Sequence, residues 1–180
     1  MPEKARPLEQ LATLLQGAKA EPVIVPSRLA PSAIYDVEYR TAIVSLVFER
    51  FAKPVPQVPG QRRIASARLK LLQFITLRPW LLPAVRQWSN SGKQSGFAFG
   101  HAMRIRRGFL SDTAHDDVIN YLVACGQLTR FETQIVSGVH SDALKKVADS
   151  IAEHGFFQSE RRVIEQLAGI SITIEMLEGW

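Results

Sequence analysis

The residues that could carry chemistry in this chain are few and poorly grouped. Four histidines, His101, His115, His140 and His154, show neither HExxH spacing nor a CxxC companion, so no metal-site signature is present. The segment "SGKQSG" pairs Gly92 with Lys93. It lacks the glycine four positions earlier, the Ser or Thr directly after lysine and the preceding buried strand that a phosphate-cradling loop requires. Ser95 is one residue out of register for a nucleophile elbow, and nothing marks a histidine and an acid as its partners. Cys125 falls on the apolar side of a helical pattern without a cationic neighbour, which is the setting of an inert packing thiol. Asp112, Asp116 and Asp117 open the same helix, where the helix dipole accounts for them without acid–base work. His115 and His154 stand beside carboxylates and read as solvated side chains. These patterns predict a chain that is not an enzyme, with no cofactor and no metal.

Charge is the stronger signal. Residues 1 to 110 hold 17 Lys and Arg against 6 Asp and Glu, whereas residues 111 to 180 hold 5 against 11. No acidic residue occurs between Arg50 and Ser111, a stretch that contains Arg63, Lys70, Lys93, Arg104, Arg106 and Arg107. Such a bias attracts a polyanion or an acidic protein surface; solvated surface charge, partly offset by the acidic half after folding, is the plainer account. "GFAFGH" adds two phenylalanines that could stack on single strands. The single cysteine excludes an internal disulfide framework and suits a reducing compartment. No run of about 18 apolar residues occurs and the start "MPEKARPLEQ" has no apolar signal core, so neither membrane insertion nor export is expected and the cytoplasm is the expected location.

The elements that must position these residues follow from periodicity. Residues 1–33 form an arm: Leu8, Leu11, Leu14 and Leu15 lie at helical spacing, Gly17 ends that run, and the prolines of "AEPVIVPSRLAPSA" favour extended chain. Such an arm packs on its own domain or on a partner. From Ile34 to Phe51 apolar residues surround most of a helix, which makes it central to a core or an interface. After the breaker "KPVPQVPGQ", a helix is expected from near Ile64, with Ile64, Ala67, Leu71, Phe74 and Ile75 on one face and Arg63, Ser66, Lys70 and Gln73 opposite. Pro79 stops it and "PWLLPAVRQW" starts another, a helix-turn-helix arrangement. An irregular basic insert spans about 89–109. A helix over 111–125 follows, capped by Ser111 or Asp112, burying Ala114, Val118, Tyr121, Leu122 and Cys125, and stopped by Gly126. "QLTRFE" and "TQIVSGV" then fit a hairpin, with no Asn-Gly or Asp-Gly to set its turn. Helices from Ser141 to about Gly155 and from Glu160 to Leu167 precede the apolar tail "GISITIEMLEGW". The expected class is mostly α with a small β-hairpin: a winged helix-turn-helix core over 34–180 with an N-terminal arm.

A helix before a hairpin is the place where a winged helix reads DNA. Here the exposed positions would be Thr113, Asp116, Asp117 and Asn120, and carboxylates would meet phosphates. Specific readers place Arg, Lys, Asn or Gln there, so sequence reading by this helix is not expected. Any DNA contact would be to the backbone, through the Arg63 and Lys70 stripe or the "MRIRRG" cluster.

The leading helix "YDVEYRTAIVSLVFERF", the pair "IASARLKLLQFITLRPWLLPAVRQW", and "VINYLVACGQLTRF" with its hairpin, a further helix and an apolar tail resemble a known group. These are the small winged-helix middle-component subunits of bacterial three-component SMC/Rad50-like ATPase defence systems of the Lamassu type. The resemblance spans residues 34–180 and is one of layout; the basic insert departs from a minimal winged helix. It implies a non-catalytic adaptor that joins a coiled-coil ATPase to an effector, often a nuclease. Leu11, Leu15, Ile174, Leu177 and Trp180 are the expected docking residues, and Arg63, Lys70, Lys93, Arg104, Arg106 and Arg107 the expected contacts to DNA or an acidic partner. A homodimeric winged-helix transcription regulator is the alternative.

Overall fold

The computed structural model describes residues 36–91, 105–170 and 172. Its first helix, α1 (Val37–Phe51), opens on Asp36, whose carboxylate accepts the Tyr39 amide at 2.8 Å. Such a cap contributes about 1 kcal/mol. Glu38 in the first turn and Arg50 in the last complement the helix dipole. Every residue from Arg40 to Phe48 is buried, as expected of a helix apolar on most sides, because other helices pack around it. It ends where Ala52 turns extended.

The chain then enters a sheet. β1 (Lys53–Pro54) pairs antiparallel with β2 (Arg62–Ala65), which continues into α2 (Ser66–Thr76). The expected helix start near Ile64 is therefore displaced: Ile64 lies in β2 opposite Ile135 of a later strand, and only at Ser66 does the chain become helical. Arg62 secures the strand by donating to the Glu49 carboxylate at 2.5 Å and to the Ala52 carbonyl at 2.9 Å. Gln73, expected outside, is buried: α2 packs on α1, and the Gln73 amide donates to the Arg40 carbonyl at 3.1 Å.

A 3-10 turn (Pro79–Leu81) leads into α3 (Leu82–Ser91), as the early proline predicts. Residues 105–110 are helical, and Gly108 presses on the Phe74 ring so closely that an added Cβ would lie 2.8 Å from its tip. Next come α4 (Thr113–Ala124), β3 (Leu128–Phe131) and β4 (Gln134–Ser137), then α5 (Asp142–Glu153) and α6 (Gln158–Ala168). Gly126, at φ +70°, ends the stretch after α4. The hairpin turns on Glu132 and Thr133, with Phe131 paired to Gln134 and Glu132 at φ +50°.

The four strands run in the order β1-β2-β4-β3, all antiparallel. Ile64 and Ile135 face the core, so the alternate row of Lys53, Arg63, Val136 and Thr129 faces the other way. The molecule is mostly helical with this small sheet. The arm, 1–33, lies outside the described residues. So does the tail except for Gly169, partly buried Ile170 and buried Ile172, the two isoleucines packing with the core cluster.

Candidate functional site

The densest polar arrangement joins α1, α2 and α4. Arg40, fully buried in α1, meets the Asp112 carboxylate at 3.0 Å, and Arg78 approaches the same carboxylate at 3.6 Å. Asp112 precedes α4 as its sequence predicts, yet it makes no cap hydrogen bond. Its charge goes to the two guanidiniums instead. Gln73 lies alongside: its amide nitrogen donates to Arg40, so its oxygen accepts, and His115 Nδ1 must carry the proton it receives. His115 Nε2 has no hydrogen-bond partner among the described residues.

His115 is thus buried, at 1% exposure, where a solvated side chain was expected. Burial lowers its pKa to about 4; neighbouring Asp116 and Asp112 oppose that shift, while Lys70 and Arg40 add to it. The imidazole is neutral near pH 7 and holds one tautomer as a spacer between α2 and α4. It is enclosed too well to meet a substrate.

The inward face of α4 is His115, Val118, Ile119 and Leu122, with Ala114, Tyr121 and Cys125 only half-buried. The expected face is rotated because a histidine flanked by carboxylates reads as surface. The outward positions Thr113, Asp117 and Asn120 are exposed as expected. Asp116, however, is held by Lys70 at 2.7 Å, and that ammonium also lies 5.7 Å from the centre of the Phe109 ring. Two carboxylates of the acidic trio are therefore matched by cations, and Asp117 has no ion pair with a described residue. What makes the helix unsuited to phosphates is the absence of any Lys or Arg from residues 111 to 127.

The expected contact residues are dispersed. Arg63 is exposed on the open side of the sheet next to Lys53 in register. Lys70 is committed to Asp116. Arg107 is exposed on the helical stretch 105–110, and Arg106 beside it is half-buried and engaged. Lys93 and Arg104 fall outside the described residues, as do Leu11, Leu15, Ile174, Leu177 and Trp180. Arg130, exposed near the hairpin tip, escaped the sequence reading, since nothing in its local pattern distinguishes it from other exposed charges; Lys53, part of the basic stretch, is brought beside Arg63 only by the strand register.

Apolar side chains are exposed at Trp80 (64%), Leu110 (63%) and Phe131 (65%). Trp80 lies two residues after Arg78 and Leu110 two before Asp112, so the ion pair at 3.6 Å draws their segments together. Large exposed aromatics of this kind serve as anchors at protein interfaces. Among the described residues no three His, Cys, Asp or Glu side chains gather around a common point that could hold a metal, and no helix is long and apolar enough to cross a membrane. Comparison with family models, with curated proteins and with solved structures returns no match to this chain.

Proposed function

We propose that the chain is a winged-helix adaptor subunit, without catalytic activity, of a complex built around a coiled-coil SMC/Rad50-like ATPase in bacterial defence. It joins the ATPase to an effector, and its basic surface touches DNA backbone in the assembled complex. The winged-helix reading draws on connectivity: α1, the strands β1 and β2, then α2 and α4 with α3 and the helical stretch 105–110 between them, and the hairpin, with β2 pairing on the second hairpin strand in the order β2-β4-β3. In that arrangement α4 occupies the place of the helix that reads DNA.

The observation that carries the adaptor reading is the charge of that helix. Its exposed positions are Thr113, Asp117, Asn120 and Ala124, it has no Lys or Arg of its own, and the carboxylates of Asp112 and Asp116 are paired with Arg40, Arg78 and Lys70. A base-reading surface needs the reverse. Trp80, Leu110 and Phe131 offer apolar anchors for protein instead.

The test is to express the tagged protein from its native gene neighbourhood and identify what co-elutes in moderate salt by mass spectrometry. The expected result is a large coiled-coil ATPase. A lone dimer that binds the promoter beside its own gene would replace this reading with that of a transcription regulator.

A further inference from the structure

One side of the sheet carries charge that the fold does not use. Strand pairing sets Lys53, Arg63, Val136 and Thr129 in a single row across β1, β2, β4 and β3. Two residues away on β4, Gln134 stands opposite Phe131. Ile64 and Ile135, one residue off the first row, face the core, so both of these rows face away from it. Lys53 and Arg63 are exposed, and neither forms an ion pair with a described residue. Neither row contains an acidic side chain; Glu132, in the turn directly after Phe131, is the carboxylate that borders them. The Glu49 carboxylate of α1 is taken by Arg62, which alternation turns to the other side of β2. Like charges directly opposite each other on neighbouring strands repel, and Lys53 and Arg63 stand in that relation. The fold keeps them together at a cost that a phosphate lying between them would remove.

We infer that this face of the sheet binds single-stranded nucleic acid without regard to sequence, Phe131 stacking on one base while Arg63 and Lys53 hold phosphates a few nucleotides along. Phe131 is 65% exposed, and of Trp80, Leu110 and Phe131 it alone is a strand residue. Neighbouring strands lie about 4.8 Å apart and successive residues about 3.4 Å, which sets the Arg63 and Phe131 Cα atoms about 12 Å apart, with half-buried Val136 and Gln134 as the floor between them. A duplex keeps its bases stacked on one another and offers the ring no π-face, so its backbone would meet the cations while Phe131 went unused. Anchors of protein interfaces sit in surroundings depleted of charge. Here the ring's neighbours on the sheet are Gln134, Thr129 and the two cations, the composition of a groove that tracks a charged backbone. The inference deepens the DNA contact of the proposed function, on which it rests for the presence of nucleic acid, and moves Phe131 from the protein anchors to that contact.

The test is a fluorescence-anisotropy titration of the full chain at low salt with labelled oligothymidylate and oligouridylate of about 12 nucleotides, and with a DNA duplex of the same length. The parent is expected to bind at least one single strand more tightly than the duplex, and the tighter of the two names the sugar. Phe131→Ala should weaken single-strand binding about tenfold and leave the duplex unchanged, while Phe131→Tyr keeps the parent's affinity. Lys53→Gln with Arg63→Gln should weaken both and lower the salt slope for the single strand by about 1.4, two phosphate contacts at about 0.7 each. Arg130→Gln lies on the same strand as Phe131 but is turned to the other side, and should cost less than about twofold. All of these side chains are exposed, so an unchanged thermal midpoint is the folding control. Absent single-strand binding, an equal loss for the duplex in Phe131→Ala, or an equal loss in Arg130→Gln would overturn the inference. So would a Phe131→Ala chain that keeps its oligonucleotide affinity but no longer recovers the partner in the co-purification, since Phe131 would then be a protein anchor. The two readings fail separately: an ATPase recovered by a chain that binds no oligonucleotide overturns this face alone, whereas oligonucleotide binding without an ATPase supports the face and overturns the adaptor.

Discussion

The buried polar group around Arg40 sets two expectations at the scale of single residues. His115 is neutral in the fold, with a pKa lowered to about 4 by burial, against an ordinary 6.5. The unfolded chain therefore binds its proton first as pH falls. Stability is complete above pH 6.5 or so and declines as pH drops toward 4, by an amount on the order of 2 kcal/mol between pH 7.5 and pH 5. Urea midpoints at the two pH values measure this, and His115→Gln should flatten the dependence; an unchanged slope would show that other groups cause it. Asp112→Asn is the second case. It leaves the fully buried Arg40 guanidinium facing a neutral amide and should cost about 3–5 kcal/mol, part of which Arg40→Met restores when added. The position of Asp112 at the head of α4 was legible in the sequence, but its buried partners and the burial of His115 were not. Asp112 reads as an N-cap and His115 as surface, because their partners, Arg40 and Gln73, lie 72 and 42 residues away. Periodicity ranks side chains by polarity and cannot foresee a polar one that is matched inside.

At the scale of elements, what could be read locally and what could not divide by the range of the contacts. α1, α5 and α6 begin and end within a few residues of their expected bounds, since each depends on its own apolar face and caps. β2 was missed because it exists through β4, some 70 residues on: Ile64 pairs with Ile135, and no local pattern marks "RRIA" as a strand. The hairpin lacks a glycine in its turn, and Glu132 takes φ +50° unaided. Glu132→Gly should raise stability by about 1 kcal/mol, read from the shift in thermal midpoint; a loss would mean that the Glu132 side chain makes a contact worth more than the strain. The base of the hairpin is less tolerant. A Cβ on Gly138 would lie 2.3 Å from the Gly126 carbonyl oxygen, backbone that cannot swing aside, so Gly138→Ala should lower stability by about 2–3 kcal/mol in the same measurement.

For the whole molecule, the division into a basic and an acidic half proves to be partly a device for joining them. Arg40 and Arg78 to Asp112, Lys70 to Asp116 and Arg50 to Glu165 all cross from residues 1–110 to residues 111–180. The cations left over define where a polyanion can approach, and Lys70 is not one of them. Charge reversal at exposed Arg107 together with Arg104 should weaken DNA binding by the assembled complex at low salt, and the salt dependence should shrink with it. Binding that is unchanged across a salt titration would remove DNA from the proposed function. The tail calls for care in choosing where to cut. Ile170 and Ile172 pack on the core, so truncation after Thr173 keeps them while removing Ile174, Leu177 and Trp180. That chain should keep its thermal midpoint yet fail to co-purify with the partner; retained co-purification would exclude the tail as a docking segment.

The burial of Arg40 also bears on how the protein is made. The helix richest in apolar residues emerges from the ribosome with this guanidinium in its first turns, and the carboxylate that answers it follows 72 residues later. At a synthesis rate of about 5–20 residues per second the interval is roughly 4–14 s. Until Asp112 arrives, closing other helices over α1 would strand a charge without a counterion. A nascent chain halted before residue 112 is therefore expected to remain protease-sensitive over α1, and one extended past it to become protected.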